Sequence, residues 1–348
     1  MASLSLTSGN DTRKASETSA IVTIDGLGGI DTLSFNSGDA PSISKFSLAM
    51  TGNSVLVSGT TGATSWFYTL KNFEIVKFKD GTVYLGSTNA DSFEGKSGNT
   101  YYLINNTNDT ISEASGGGTD GVFVAISEAN ASFKLPTNVE VATITSTVAL
   151  NVIGNNSNNK LTGNFYANSL SGLSGADNLI GGGGNDTLNG GSGADKVTGG
   201  TGSDTFKFSA GDSGQSSSSD DAIADYAKGI VGVGDKIDFS SSLVIGGSSA
   251  GATVEQAKID NKTAVATFAA GSGTSLSDAL SDISTRFTAS TDLAGEFSFF
   301  KVNNQGNYFM FISDGMSGVS AKDLVVELVG VKTINGVSLV GGDLTITS

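Results

Sequence analysis

GNNSNNKLT, GNFYANSLS, GLSGADNLI, GGGGNDTLN, GGSGADKVT and GGTGSDTFK, residues 154–207, are six consecutive blocks of nine. Position six of these blocks holds Asn159, Asn168, Asp177, Asp186, Asp195 and Asp204, and position eight holds Leu161, Leu170, Leu179, Leu188, Val197 and Phe206. A fixed short period signals stacked repeats. The Gly-rich first six residues suit a turn whose carbonyls point inward, and the last three suit a short strand that drops one apolar side chain into a core. A single block cannot bury that side chain, whereas a stack can. Successive turns fall on opposite sides of a flattened right-handed coil, so residues eighteen apart stack, with Asp195 over Asp177 and Asp204 over Asp186. A flexible linker has no reason to keep an apolar residue at every ninth position.

Two stacked carboxylates and several turn carbonyls make an all-oxygen cage. That donor set suits calcium, which takes six to eight oxygens, better than magnesium, which dehydrates reluctantly. The chain has no Cys and no His, which removes the ligands zinc prefers. The expected ligands are Asp177, Asp186, Asp195 and Asp204, with the turns built on Gly172, Gly175, Gly181, Gly184, Gly190, Gly193, Gly199 and Gly202. The turns of Asn159 and Asn168 are weaker candidates, having an amide where the others have a carboxylate. Stacked like charges repel, so the cation-free chain is expected to be expanded. Each site filled at tenfold excess over its dissociation constant adds about 1.4 kcal/mol to folding, because only the folded state binds.

The blocks from Gly172 to Lys207 resemble the GGxGxDxUx repeats of the RTX (repeats-in-toxin) family, whose parallel β-roll binds several calcium ions between turns. The resemblance weakens over 154–171, where turn glycines are missing. Earlier fragments look like degenerate blocks: SGNDT at 8–12 and DGLGGIDTLSF at 25–35 add Asp11 and Asp31 as candidate ligands, and NADSFEGKSGNTYYL at 89–103 adds Asp91. The next segment resembles a linker between rolls and contributes Asp109, Glu113 and Asp120. After the array, residues 208–240 resemble a segment that closes RTX rolls; Asp221 and Asp225 there are further candidates, in an acidic cluster with Asp220, Asp235 and Asp238. The acidic clusters also read as solvated turns or as a polar cap that stops the stack.

The whole-chain numbers set further limits. Thirty-four acidic against nineteen basic residues in 348 give a formal charge of −15, unsuited to nucleic acid or anionic membrane. Without His there is no Ser-His or Cys-His nucleophile pair and no HExxH metalloprotease motif. No run is long and apolar enough to cross a membrane. The N-terminus lacks a charged segment followed by an apolar core. The region from about 265 to 348, ending LVGGDLTITS, resembles the C-terminal region of RTX proteins exported by type I secretion, whose signal is uncleaved.

The expected fold is all-β: a parallel β-roll or β-helix of Gly/Asp-rich nonapeptides, followed by a C-terminal β-rich domain containing one amphipathic helix. The helix is read from TSLSDALSDISTRF, 274–287, where Leu276, Ala279, Leu280, Ile283 and Phe287 share a face. Hairpins are expected around Asp80–Gly81 and between the aromatic runs of EFSFFKVNNQGNYFMFISDG. The divisions are 1–85 (degenerate repeats), 86–153 (linking rungs), 154–239 (roll and closing segment) and 240–348 (C-terminal domain). With almost every residue assigned to these parts, the expected role is a non-enzymatic, extracellular calcium-binding protein that self-assembles as a cell-surface layer or filament subunit, a homopolymer. The alternatives are a monomeric adhesin or matrix protein binding cell-surface polysaccharide, and a carboxylate-based polysaccharide-modifying enzyme.

Overall fold

The computed structural model describes residues 80–116 and 118–209 continuously; before them it describes 2–78 except 6–8, 16–20, 28–29, 36–45, 52–53 and 62–63, and after them 212, 221–226, 235–239, 244–245, 257–259, 266–268, 296–301, 308–312, 324–329, 331, 334, 336–340 and 343–347. It forms two compact units, one of residues 1–155 with 162–164, the other of 156–161 with 165–348.

In the second unit the nonapeptides alternate between two parallel sheets. Strands Ser169–Ser174, Thr187–Ser192, Thr205–Phe208 and Lys236–Phe239 build one sheet, with Leu170 opposite Leu188, Leu188 opposite Phe206 and Phe206 opposite Ile237. Strands Asn178–Gly183, Lys196–Thr201, Asp221–Ile223 and Leu324–Leu328 build the other, with Leu179 opposite Val197, Val197 opposite Ile223 and Ile223 opposite Leu328. Each column is buried along its length. The two columns pack as the roll's core because each strand exposes one face and buries the other, a period of two.

The roll continues past the glycine repeats. The register step is eighteen residues inside the array, from Lys196 to Ala222 it is 26, and from Thr205 to Lys236 it is 31. The strand Leu324–Leu328 then extends one sheet in parallel, and Tyr308–Ile312 and Glu296–Lys301 follow it antiparallel. On the other sheet Asp343–Thr347 pairs antiparallel with Lys236–Phe239, and Gly336–Val340 pairs with it as a hairpin.

The C-terminal expectation needs correction. Among the described residues there is no helix, and every regular C-terminal element is a strand. The proposed helix at 274–287 lies outside the described residues. Physically, the described C-terminal segments are β-branched and aromatic runs such as LVVEL and YFMFI, in which Phe309, Met310, Phe311, Val325 and Val326 are fully or almost fully buried; such runs gain more by extending an existing sheet than by coiling.

The first unit follows the same plan with a longer period. Parallel strands Thr12–Ala15, Thr32–Phe35 and Ile75–Lys77 lie side by side, and Thr82–Leu85, Thr100–Ile104, Gly121–Val124 and Val141–Ile144 continue the sheet. Ile75–Lys77 and Thr82–Leu85 form the expected antiparallel hairpin, closed by a Phe78 N–H to Gly81 carbonyl bond of 2.9 Å. A second sheet runs Ala2–Ser5, Ile21–Asp25, Thr64–Lys71, Ser54–Thr61, Phe46–Thr51, its last two pairings antiparallel. Tyr68 and Leu70 of the TSWFYTL strand are buried, in one core with Ile24, Leu33, Val57, Val76, Val83 and Leu103.

Candidate metal centre

The residue just before each roll strand sits where turn gives way to sheet. Its carbonyl accepts a strand N–H from the next turn of the same side: Asn178 to Asn159, Lys196 to Asp177 and Thr205 to Asp186, all at 2.8 Å. Its own N–H needs a partner, and the carboxylate one turn on supplies it. The Oδ1 of Asp177 accepts from Asn159 at 2.6 Å and that of Asp186 from Asn168 at 2.7 Å; Asp195 accepts from Asp177, and Asp204 from Asp186, each at 2.8 Å. The ladder ends on Asp221, which accepts from Asp195, and on Asp235, which accepts from Asp204, both at 2.9 Å. These charge-assisted bonds stitch successive turns together.

The other oxygen has a different environment. Oδ2 of Asp177, Asp186, Asp195 and Asp204 is buried and accepts no hydrogen bond. Each lies over the α-carbon of the first glycine of its own block, so a Cβ at Gly172, Gly181, Gly190 or Gly199 would strike it. A Cβ at Gly172 would also meet the Gly190 carbonyl oxygen at 2.5 Å, and one at Gly181 the Gly199 carbonyl oxygen at 2.6 Å. Position four is equally closed: Gly193 and Gly202, at φ of +142° and +141°, face the carbonyl oxygens of Gly175 and Gly184 one turn earlier. Bare carboxylate and stacked carbonyl oxygens therefore crowd the same turns. Among the described residues no three acidic side chains converge as a metal-binding group, so an ion here draws its remaining ligands from carbonyls. A buried anionic oxygen without a donor costs several kcal/mol unless a cation meets it, and an all-oxygen donor set is the one calcium takes. The residues present fit calcium.

Burial raises the ladder acids' pKa: Asp177 to about 6, Asp186 and Asp195 to about 7, and Asp204 upward as well. Loss of hydration is the largest cause in all four and the backbone N–H bond opposes it; nearby carboxylates add a smaller push at Asp186, Asp195 and Asp204. Desolvation, more than the mutual repulsion the stacked charges suggest, is what a cation relieves.

The other sequence candidates fall into distinct positions. Asp31, fully buried, repeats the ladder geometry: its Oδ1 accepts the Asp11 N–H at 2.9 Å while its Oδ2 is buried without a hydrogen bond above Gly26. Asp120, raised to about 6 chiefly by burial, accepts from Thr100 at 2.6 Å. Asp109 uses both oxygens on backbone donors, Oδ1 on Asp91 and Oδ2 on Asn105 and Asn106; Asp91 caps the N–H and hydroxyl of Ser87. Asp225 likewise spans the N–H groups of Gly199 and Gly200, at 2.8 and 2.7 Å. Glu113 is buried and accepts the Tyr102 hydroxyl. Asp220 lies outside the described residues.

Two ladder members escaped the reading of the sequence, Glu74, which accepts the Asp31 N–H at 2.7 Å, and Glu140, which accepts from Asp120 at 2.9 Å; Asp235 enters that reading only as one of the acidic cluster after the array. Each directly precedes a strand, as Asp11, Asp31, Asp177 and Asp195 do. An acid immediately before a strand is the signal that finds them.

Comparison with known proteins agrees with the roll. Residues 153–188 and 171–206 match the family described as RTX calcium-binding nonapeptide repeat (4 copies). No curated protein sequence matches the chain. Among solved structures, the extracellular lipase LipA from Serratia marcescens aligns over 96% of this chain at 11% identity and a TM-score of 0.22, and this chain spans 38% of that one. At that similarity nothing of lipase chemistry transfers. The stretch 153–206 is a run of RTX calcium-binding nonapeptide repeats, set in a parallel β-solenoid.

Proposed function

We propose that this is an extracellular structural protein that folds when calcium fills its roll and then self-assembles at a cell surface. The observation that carries it is the row of four ladder carboxylates, each with one oxygen on a backbone N–H and the other buried and bare. Where calcium is scarce the bare oxygens disfavour the fold, and where it reaches millimolar levels, the range extracellular modules use, they hold ions. Export unfolded and folding outside follow from that difference. Assembly is supported by the acidic, cysteine-free composition and by solenoid sheets whose outer strands, among the described residues, have a neighbour on one side only. Supporting a non-enzymatic role, the turn acids are engaged by backbone donors rather than gathered around a reacting centre. Calcium titration followed by electron microscopy tests the reading: ordered layers or filaments at millimolar calcium are expected, and a monodisperse monomer at high protein concentration would remove the assembly step.

A further inference from the structure

The turn that carries Asp31 in the first unit is built like the turns of the roll, although it lies outside the matched repeats. Asp31 follows Gly26 by five positions, the spacing of Asp177 from Gly172 and of Asp186 from Gly181. Its Oδ1 accepts the Asp11 N–H at 2.9 Å, and the preceding N–H, of Ile30, donates to Asn10 Oδ1 at 2.7 Å. In the roll the same pair of bonds joins Asn158 and Asn159 to Ala176 and Asp177, and Asn185 and Asp186 to Ser203 and Asp204. The glycine cradle is repeated as well. A Cβ at Gly26 would meet Asp31 Oδ2 and the Asn72 carbonyl oxygen, each at 2.4 Å; at Gly181 it would meet Asp186 Oδ2 at 2.3 Å and the Gly199 carbonyl oxygen at 2.6 Å.

Two acceptors thus crowd one buried glycine. Asp31 is fully buried, its Oδ2 accepts no hydrogen bond, and among the described residues no Lys or Arg forms an ion pair with it. A buried anionic oxygen in that position is costly unless a cation meets it. The carbonyl is set in place by Asn72 itself, which stands at φ +52° and whose side-chain amide donates to Asp25 Oδ1 at 2.8 Å. The first unit's other turn acids lack one or other half of this arrangement. Asp91 also follows a glycine, Gly86, by five positions, but both its oxygens accept from Ser87. Asp109 spends both on backbone donors, and Asp120 has Ser115 where the cradle has glycine. Among the described residues of the first unit, no other carboxylate keeps a buried oxygen without a hydrogen bond.

We infer that Asp31 Oδ2 and the Asn72 carbonyl hold one calcium ion, so that the first unit has a calcium site of its own, outside the glycine repeats. An oxygen-only donor pair in a chain without His or Cys suits that ion rather than zinc. Because the carboxylate oxygen is closed to solvent, the ion enters as the turn forms, and binding and ordering of the turn are one event. The inference rests on the reading that a bare ladder oxygen takes calcium. Its test uses the full-length chain and Asp31→Asn, which keeps an Oδ1 acceptor for the Asp11 N–H and removes the charge. Equilibrium dialysis at saturating calcium should find one ion fewer on the variant than on the parent. Hydrogen-exchange mass spectrometry locates the loss. At a tenfold excess of calcium over the dissociation constant, exchange in 24–35 and 70–75 should slow about tenfold relative to chelator in the parent and not in the variant. Calcium should slow exchange in 169–207 equally in both, and in chelator the variant should be at least as protected over 24–35 as the parent. An equal ion count, an equal calcium-induced gain over 24–35, or a variant less protected than the parent in chelator would each overturn the assignment. Calcium protection of 169–207 without any around Asp31 in the parent would overturn this site alone, whereas no protection of 169–207 would overturn the reading of the roll on which it rests.

Discussion

In the ladder, the two oxygens of one aspartate do separate work. Oδ1 of Asp186 holds the Asn168 N–H, and Oδ2 is left bare against Gly181. This has a pH consequence whose sign is fixed by the raised pKa of the folded state. The calcium-free fold binds protons more tightly than the unfolded chain, so its stability should rise as pH falls from above about 7 toward the ordinary aspartate range and be lost as pH rises through about 7. Protons and calcium compete for the same oxygens, so calcium affinity should weaken as pH is lowered from 8 to 6; titration calorimetry across that range checks it. The glycines that admit the carboxylates are equally committed. Gly181→Ala and Gly199→Ala should each cost about 1–3 kcal/mol in denaturant unfolding at saturating calcium, since the new methyl meets an acid and, at Gly181, a carbonyl as well. Leu173 is the converse case. It stands at φ +80° where the equivalent positions carry Gly182, Gly191 and Gly200, so Leu173→Gly should stabilise by about 1 kcal/mol in the same measurement. The motif makes these positions visible in the sequence. That only one oxygen per carboxylate is bare is not visible there, because it depends on which backbone N–H the next turn delivers.

At the scale of the strand, the apolar column is what turns a row of glycine turns into a fold. Phe206 sits fully buried between Leu188 and Ile237, and Phe206→Ala should cost about 3–5 kcal/mol, read as a lower denaturation midpoint with calcium present. The stack's end is managed by Asp225, which holds the N–H groups of Gly199 and Gly200. Asp225→Ala leaves those donors without their carboxylate and should cost about 1–3 kcal/mol. The nine-residue period reveals the strands, their alternation between two sheets and the buried column, because each depends only on local spacing. Beyond Phe206 the antiparallel pair Glu296–Lys301 with Tyr308–Ile312 is still legible from its aromatic runs, but the order of the rungs is not. Steps of 26 and 31 residues carry no period, so the pairing of Ile223 with Leu328, about a hundred residues on, is set by tertiary packing that no local pattern encodes. The same limit produced the expectation of a C-terminal helix: a stretch of apolar residues three and four apart was weighed locally, while the described C-terminal strands add to sheets already formed.

For the whole molecule, the ladder explains why an acidic chain of formal charge −15 can hold a solenoid together. One turn binds the next through carboxylate and backbone, and the cation relieves the desolvation left over. In the first unit the same arrangement recurs with Asp31, Glu74, Asp120 and Glu140, at steps of twenty residues or more, so the stitching extends beyond the glycine repeats even where the calcium motif has decayed. The sharpest test separates the two oxygens. Asn159 and Asn168 already occupy position six in earlier blocks, so Asp186→Asn with Asp204→Asn should keep an Oδ1 acceptor on the stitch while removing the charge that calls for a cation. Circular dichroism of parent and double variant, with chelator and then through a calcium titration, reads both effects at once. The ladder account predicts that the variant is more folded than the parent in chelator and gains markedly less structure from calcium. A variant whose calcium-induced gain equals the parent's would contradict it.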